Sequence, residues 1–273
     1  MARHQNQPIF TIFVVHEKSM KILLSPAKSL DYDRSIATPT VTIAPFLEKA
    51  EYLAHKLKSM SPKKIGTLMH LSPTLADLNY ARYQEWKSPT TVSSTAKPAV
   101  TVFTGEVYKG LDIDTFTPGD FERAQQQLFI LSGLYGILRP LDLMYPYRLE
   151  MGTKWGITSK TKNLYHYWGS QLADYLNKET AVDEVIINLA STEYFKAIDQ
   201  KALNRRVITP VFKELKGDQF KVVMMYAKHA RGAMARDIIQ QGYQNVEDLK
   251  GYNVDGYSFN ERLSSPNEWV FVR

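Results

Sequence analysis

The stretch 131–152, LSGLYGILRPLDLMYPYRLEMG, constrains this chain more than any other part of it. It sets Arg139, Arg148 and Glu150 among apolar and turn-forming residues, and charges in such company are either paired or functional. Pro140 and Pro146 push Arg139 and Tyr145 toward extended backbone, so the stretch cannot form one uninterrupted helix. An ordered, irregular segment is expected. Such segments line sites when they carry charge, and internal bracing by Arg139 and Arg148 is the competing role.

Around this segment the apolar pattern alternates between strand-like and helix-like stretches. Residues 21–25 (KILLS) suit a buried strand ending at Pro26. Residues 45–57 carry apolar side chains at helical spacing. Ser61-Pro62 and Ser72-Pro73 are cap and first-turn pairs, which predicts helices over 62–70 and 73–85 joined by a tight turn. Residues 88–98 read as a polar loop and 99–103 as a second strand, followed by 108–111. A helix is expected over 118–131 and another over 163–177, whose Tyr165 and Trp168 are read as core. Three further apolar, β-rich runs at 185–189, 206–212 and 220–226 complete the pattern. No internal repeat or linker divides it. The expected fold is α+β (mixed α/β): a single compact domain over 20–273, with a central mixed sheet flanked by helices. Residues 1–19 are expected to be an N-terminal extension.

Composition removes several function classes. The chain of 273 residues has no cysteine, which excludes disulfides, thiolate metal sites and a thiol peroxide sensor. The histidines at 4, 16, 55, 70, 166 and 229 form no local ligand pair, so no metal and no cofactor are expected. The apolar run 9–15 is too short to span a bilayer and lacks a small-x-small cleavage site, which predicts a cytoplasmic protein with no membrane partner. The net charge of +6 is unevenly spread: residues 196–236 carry ten Lys/Arg against three Asp/Glu, whereas 111–195 carry seven against eleven. A concentrated basic block favours a polyanionic partner, with a solvated lysine-rich surface as the plain alternative.

Three of the expected strands stop at similar chemistry. KILLS, containing Ser25, runs into Lys28; VIINL, containing Asn188, runs into Ser191 and Glu193; VVMMY runs into Lys228 and Arg231, with Arg236 one helical stretch further on. If these strands are parallel neighbours, their ends open on one crevice, where ligands bind in open α/β sheets. Lys28, Arg139, Arg148, Lys228 and Arg231 would then face only Glu150 and Glu193, which is a phosphate-seeking balance. Ser191 either caps a helix or helps hold an anion. No Walker A loop, nucleophile elbow or dinucleotide fingerprint is present, so catalytic residues are not assigned and the balance leans away from an enzyme.

Residues 65–76, IGTLMHLSPTLA, match the spacing of a helix-hairpin-helix element, in which backbone N–H groups at a helix start meet a DNA phosphate. The two glycines of that motif are replaced here by His70 and Ser72 flanking Leu71, while Lys63 and Lys64 lie nearby. A packed hairpin with no ligand would show the same apolar spacing.

Five stretches in order, LLSPAKSLD at 23–31, FTGEVYKGL at 103–111, the 131–152 segment, NLASTEYF at 188–195 and AKHARGAMAR at 227–236, together resemble the bacterial peroxide-stress YaaA family. The resemblance runs from Met20 to Arg273. It implies a cytoplasmic oxidative stress response protein that limits free iron during hydrogen peroxide stress, with a helix-hairpin-helix element and a basic double-stranded DNA-binding surface. The leading expectation is non-enzymatic DNA binding. The alternative is an enzyme acting on a phosphorylated or nucleotide-like small molecule in the Lys28/Lys228/Arg231 crevice.

Overall fold

In a computed structural model the described residues are 20–273; the expected extension 1–19 lies outside them. The first strand, β1 (Lys21–Leu24), forms where expected and is buried along almost its whole length. Helix α1 (Leu47–Lys58) buries the stripe Ala50, Leu53, Ala54 and Leu57. The two serine-proline pairs start α2 (Pro62–Met69) and α3 (Pro73–Glu85): Ser61 Oγ accepts from Lys64 N–H and Ser72 Oγ from Leu75 N–H. Each cap satisfies one of the first-turn donors, an effect of about 1 kcal/mol. Between the two helices His70 adopts the left-handed conformation, at φ 52°.

The next stretch departs from expectation. Residues 99–103 do not form a strand: after the two-residue β2 (Lys97–Pro98) comes the short helix α4 (Ala99–Val102). The β-branched run is overridden because Ala99 and Val100 donate their N–H groups to Asp142 and Pro140 carbonyls of the irregular segment. Residues 108–111 belong to a helix, α5 (Glu106–Leu111). Helix α6 (Pro118–Gln127) is shorter than expected and gives way to strand β3 (Leu128–Ser132). All five β3 residues are buried, and a run apolar on both faces suits a central strand as well as a helix, which periodicity cannot distinguish.

The irregular segment contains two short strands, β4 (Gly136–Leu138) and β5 (Leu143–Met144). The single helix expected over 163–177 is two helices, α7 (Leu164–Trp168) and α8 (Gln171–Glu179), broken at Gly169, whose φ of 50° with ψ of −132° only glycine adopts easily. Trp168 is core as expected, and Tyr165 packs partly buried against the core. Strand β6 (Ile186–Asn188) leads into the four-residue helix α9 (Thr192–Phe195). Strand β7 (Val207–Lys216) is longer than expected and hairpins into β8 (Gln219–Lys221). The run 220–226 therefore does not continue as a strand: α10 (Met224–Gln241) begins within it. The chain ends with β9 (Ser258–Phe259) and β10 (Glu268–Val272).

The sheet is mixed and eight-stranded, in the order β4-β3-β1-β6-β7-β10-β9, with β8 paired to β7. Strands β3, β1, β6, β7 and β10 are mutually parallel neighbours, and the antiparallel β4, β8 and β9 flank them. β2 and β5 form a separate antiparallel pair. The expected α+β architecture is thus present, and two of the three strand ends singled out from the sequence, β1 and β6, lie side by side. Among the described residues no helix is long and apolar enough to cross a membrane.

Candidate functional site

Because β1 and β6 pair in parallel, the chain leaves both strands on the same edge of the sheet. There Ser25 joins the two exits: its Oγ accepts from Ser191 N–H at 2.8 Å and donates to Ser191 Oγ at 3.3 Å. Tyr108 donates its hydroxyl to the Ser25 carbonyl at 3.1 Å. Asn188 bonds the Ala190 N–H and Thr209 Oγ1, bracing the turn after β6 from inside. Ser191 does not cap α9 with its side chain. Ser25 and Ser191 therefore act on each other, and Asn188 on the turn.

Beyond these turns lies a cleft of about 400 Å³, into which Lys28, Arg148, Glu150, Lys154, Glu193 and His70 project, with Leu68 and Met69 beside His70. It brings together four parts of the chain: the exit of β1, the turn between α2 and α3, the end of the irregular segment and the exit of β6. Glu150 bridges two cations, with Oε2 2.7 Å from Lys28 Nζ and Oε1 3.3 Å from Arg148 Nη2. The Lys28 side chain is 62% exposed, so this pair is worth little to stability, within about 1 kcal/mol, and its geometry is open to exchange. Glu193 is held differently: its Oε1 accepts from Gly152 N–H at 2.9 Å, in a space where a Cβ on Gly152 would lie 3.1 Å from that oxygen.

Arg148 is anchored from behind. Tyr83 donates to its carbonyl at 2.8 Å, and its Nε is buried with no hydrogen-bond partner. Nearby Arg82 is close enough to repel it, and burial, with that repulsion, lowers the Arg82 guanidinium from its ordinary value. Its one hydrogen bond of a side chain is to Asn79 Oδ1, at 3.4 Å. Among the described residues Arg82 has no carboxylate partner and Arg148 has only Glu150, which leaves cationic donors beside the cleft in excess, an arrangement that suits an anion. His70, Lys154 and Arg82 were not assigned this role from the sequence. The available signal was Arg82 three residues after Asn79, on the buried side of α3, an unusual position for an arginine.

Other expected members are elsewhere. Arg139 faces Glu179 at 4.0 Å, and its N–H donates to the buried Asp142 carboxylate, so it takes the bracing role. Lys228 and Arg231 are on α10, not at the end of a strand, and do not line the cleft. Lys228 is exposed and acts on Glu106, which borders a separate cavity with His229, Asp255 and Arg273. Arg231 is half-buried, and burial lowers its guanidinium from the ordinary value. Arg236 pairs with Asp112 at 3.0 Å. Lys28 therefore lines this cavity without Lys228 and Arg231, because the run expected as the third strand is β8 at its start and α10 from Met224 on. Lys63 sits on α2 beside a second, more apolar hollow between α2 and α3, and Lys64 is exposed on the same helix. Among the described residues no group of three or more His, Asp or Glu side chains is placed to hold a metal ion.

A family model described as Peroxide stress protein YaaA matches residues 20–263. A UPF0246 protein of Shewanella oneidensis is 50% identical over 257 residues, covering 93% of this chain and 99% of the relative. A UPF0246 protein of Saccharophagus degradans is 49% identical over 256 residues, again across 93% of this chain and 99% of its own length. One of Colwellia psychrerythraea is 47% identical over 256 residues with the same coverage.

Proposed function

The chain belongs to the peroxide stress protein YaaA family, so its role lies in peroxide stress; from that premise we propose that it is a cytoplasmic, non-enzymatic protein that binds double-stranded DNA and limits free iron under hydrogen peroxide. In this reading α2 and α3 act as a helix-hairpin-helix-like element. The N-terminus of α3 at Ser72 and the lysines of α2 meet the phosphate backbone, and the cleft with Lys28, Arg148 and Lys154 opens beside them at the turn.

The observation that carries the reading is the contiguity of turn and cleft: Leu68, Met69 and His70 form one wall of the cavity that holds Lys28 and Arg148. A hairpin that served only as packing would have no need to border the cationic cleft. The contacts available are Lys, Arg and backbone N–H groups, which suit phosphate and not base edges, so binding is sequence-tolerant.

The test is a titration with duplex DNA at several salt concentrations. Affinity falls steeply as salt rises if phosphates carry the binding. A strong preference for one duplex over a shuffled control, or no binding at low salt, removes the reading.

A further inference from the structure

The cleft already contains one anion, the carboxylate of Glu150, held by Lys28 and Arg148. Its other carboxylate, Glu193, is occupied by the Gly152 N–H. The cationic side is larger: Lys28, Arg148 and Lys154 line the cavity, Arg82 stands behind Arg148, and the buried Arg148 Nε has no partner. A ligand that takes the Lys28 and Arg148 donors now on Glu150 competes with that carboxylate.

That competition selects among phosphates. A backbone phosphodiester carries one negative charge, the same as the carboxylate it would replace, and exchanging one for the other gains no charge. A phosphate monoester carries about −1.5 to −2 near neutral pH and offers three acceptor oxygens. It can satisfy Lys28 and Arg148 together and still present an oxygen to a further donor. The cavity of about 400 Å³ has the size of a site for one nucleotide-scale group.

We propose that the Lys28/Arg148 cleft is a terminal-phosphate site, and that Glu150 is its internal competitor, which rejects phosphodiesters and yields to phosphate monoesters. The inference rests on the DNA-binding reading for the source of the phosphate: the body of a duplex lies along α2 and α3 while its phosphorylated end enters the cleft. A free nucleoside monophosphate carries the same chemistry, and the experiment separates the two sources.

One short blunt duplex, labelled internally, is prepared with hydroxyl ends, with a 5′-phosphate and with a 3′-phosphate, and each is titrated against the protein by fluorescence anisotropy. A nucleoside monophosphate and its nucleoside are titrated by calorimetry. A phosphorylated end is expected to bind about tenfold more tightly than the hydroxyl end, the equivalent of one charge-assisted contact. In Glu150→Gln the hydroxyl-ended duplex gains affinity and the preference shrinks, whereas Lys28→Ala loses the preference by weakening the phosphorylated duplex. Equal, tight binding of all three duplexes overturns the terminal-phosphate site and leaves the DNA reading standing. Binding of the monophosphate over its nucleoside without binding of any duplex keeps the site and overturns the DNA reading. Binding of neither overturns both.

Discussion

Gly110 on α5 and Gly232 on α10 lie where the two helices meet backbone to backbone. A Cβ on Gly232 would stand 1.7 Å from the Val107 carbonyl oxygen, and one on Gly110 would stand 2.1 Å from the His229 carbonyl oxygen. These glycines explain two of the motifs noticed in the sequence, FTGEVYKGL and AKHARGAMAR, as the two halves of one helix crossing. Gly232→Ala is expected to destabilise the protein by about 3 kcal/mol, the upper range for overpacking, because the obstructing atoms are backbone and cannot rotate away. Gly156→Ala, whose added methyl meets nothing within 4 Å, is the control. Chemical denaturation of both decides, and equal midpoints would mean that the helices slide apart at no cost.

His70 holds a left-handed backbone conformation at φ 52° in the turn between α2 and α3. A side chain bearing a Cβ costs about 1–2 kcal/mol there. His70→Gly is expected to raise the unfolding free energy by about 1 kcal/mol, while His70→Ala retains the strain. A loss of stability in the glycine variant would show that the imidazole makes a contact worth more than the strain.

Asp120 closes the capping box of α6. Burial opposes its charge, but hydrogen bonds from Thr117 Oγ1 at 2.7 Å and Thr117 N–H at 2.8 Å, with the Arg123 guanidinium, outweigh that and hold the carboxyl below its ordinary value. A carboxyl lowered on folding contributes stability above its unfolded value, near 3.9, and that contribution is lost as pH falls through the folded value. Asp120→Asn should therefore be less stable than the parent near neutral pH by about 1 kcal/mol, with the difference closing in acid. A gap that stays constant down to pH 2 would contradict the assignment.

Lys63 and Lys64 open the first turn of α2 and are free of any carboxylate among the described residues. Replacing both with alanine should weaken duplex binding and lower the salt slope by roughly two phosphate contacts. Unchanged affinity and slope would return α2 and α3 to a purely packing role.

Much of this architecture can be read locally. The serine-proline pairs announce α2 and α3 because a cap and its first-turn proline are adjacent in the chain, and KILLS and VIINL read as strands because both are short, apolar and followed by breakers. Arg139, Arg148 and Glu150 are legible as charges needing partners from their apolar surroundings alone. Local rules fail where long-range partners choose the conformation. Ala99–Val102 turns helical because carbonyls of the irregular segment take its N–H groups, and Leu128–Ser132 becomes a strand because β1 is there to pair with it.

By itself, then, the sequence determined the α+β class, the capped helical pair, the absence of thiol chemistry and the family. Which cations meet was decided only in three dimensions. Lys28 shares a cavity with Arg148 and His70 because β1 is central in the sheet and the irregular segment returns past its exit, whereas Lys228 and Arg231 lie on α10, packed on α5 through the glycine crossing, and do not line that cavity. Charge repeats at similar offsets along a chain say nothing about convergence. Only the pairing of strands and the close approach of helices set those distances.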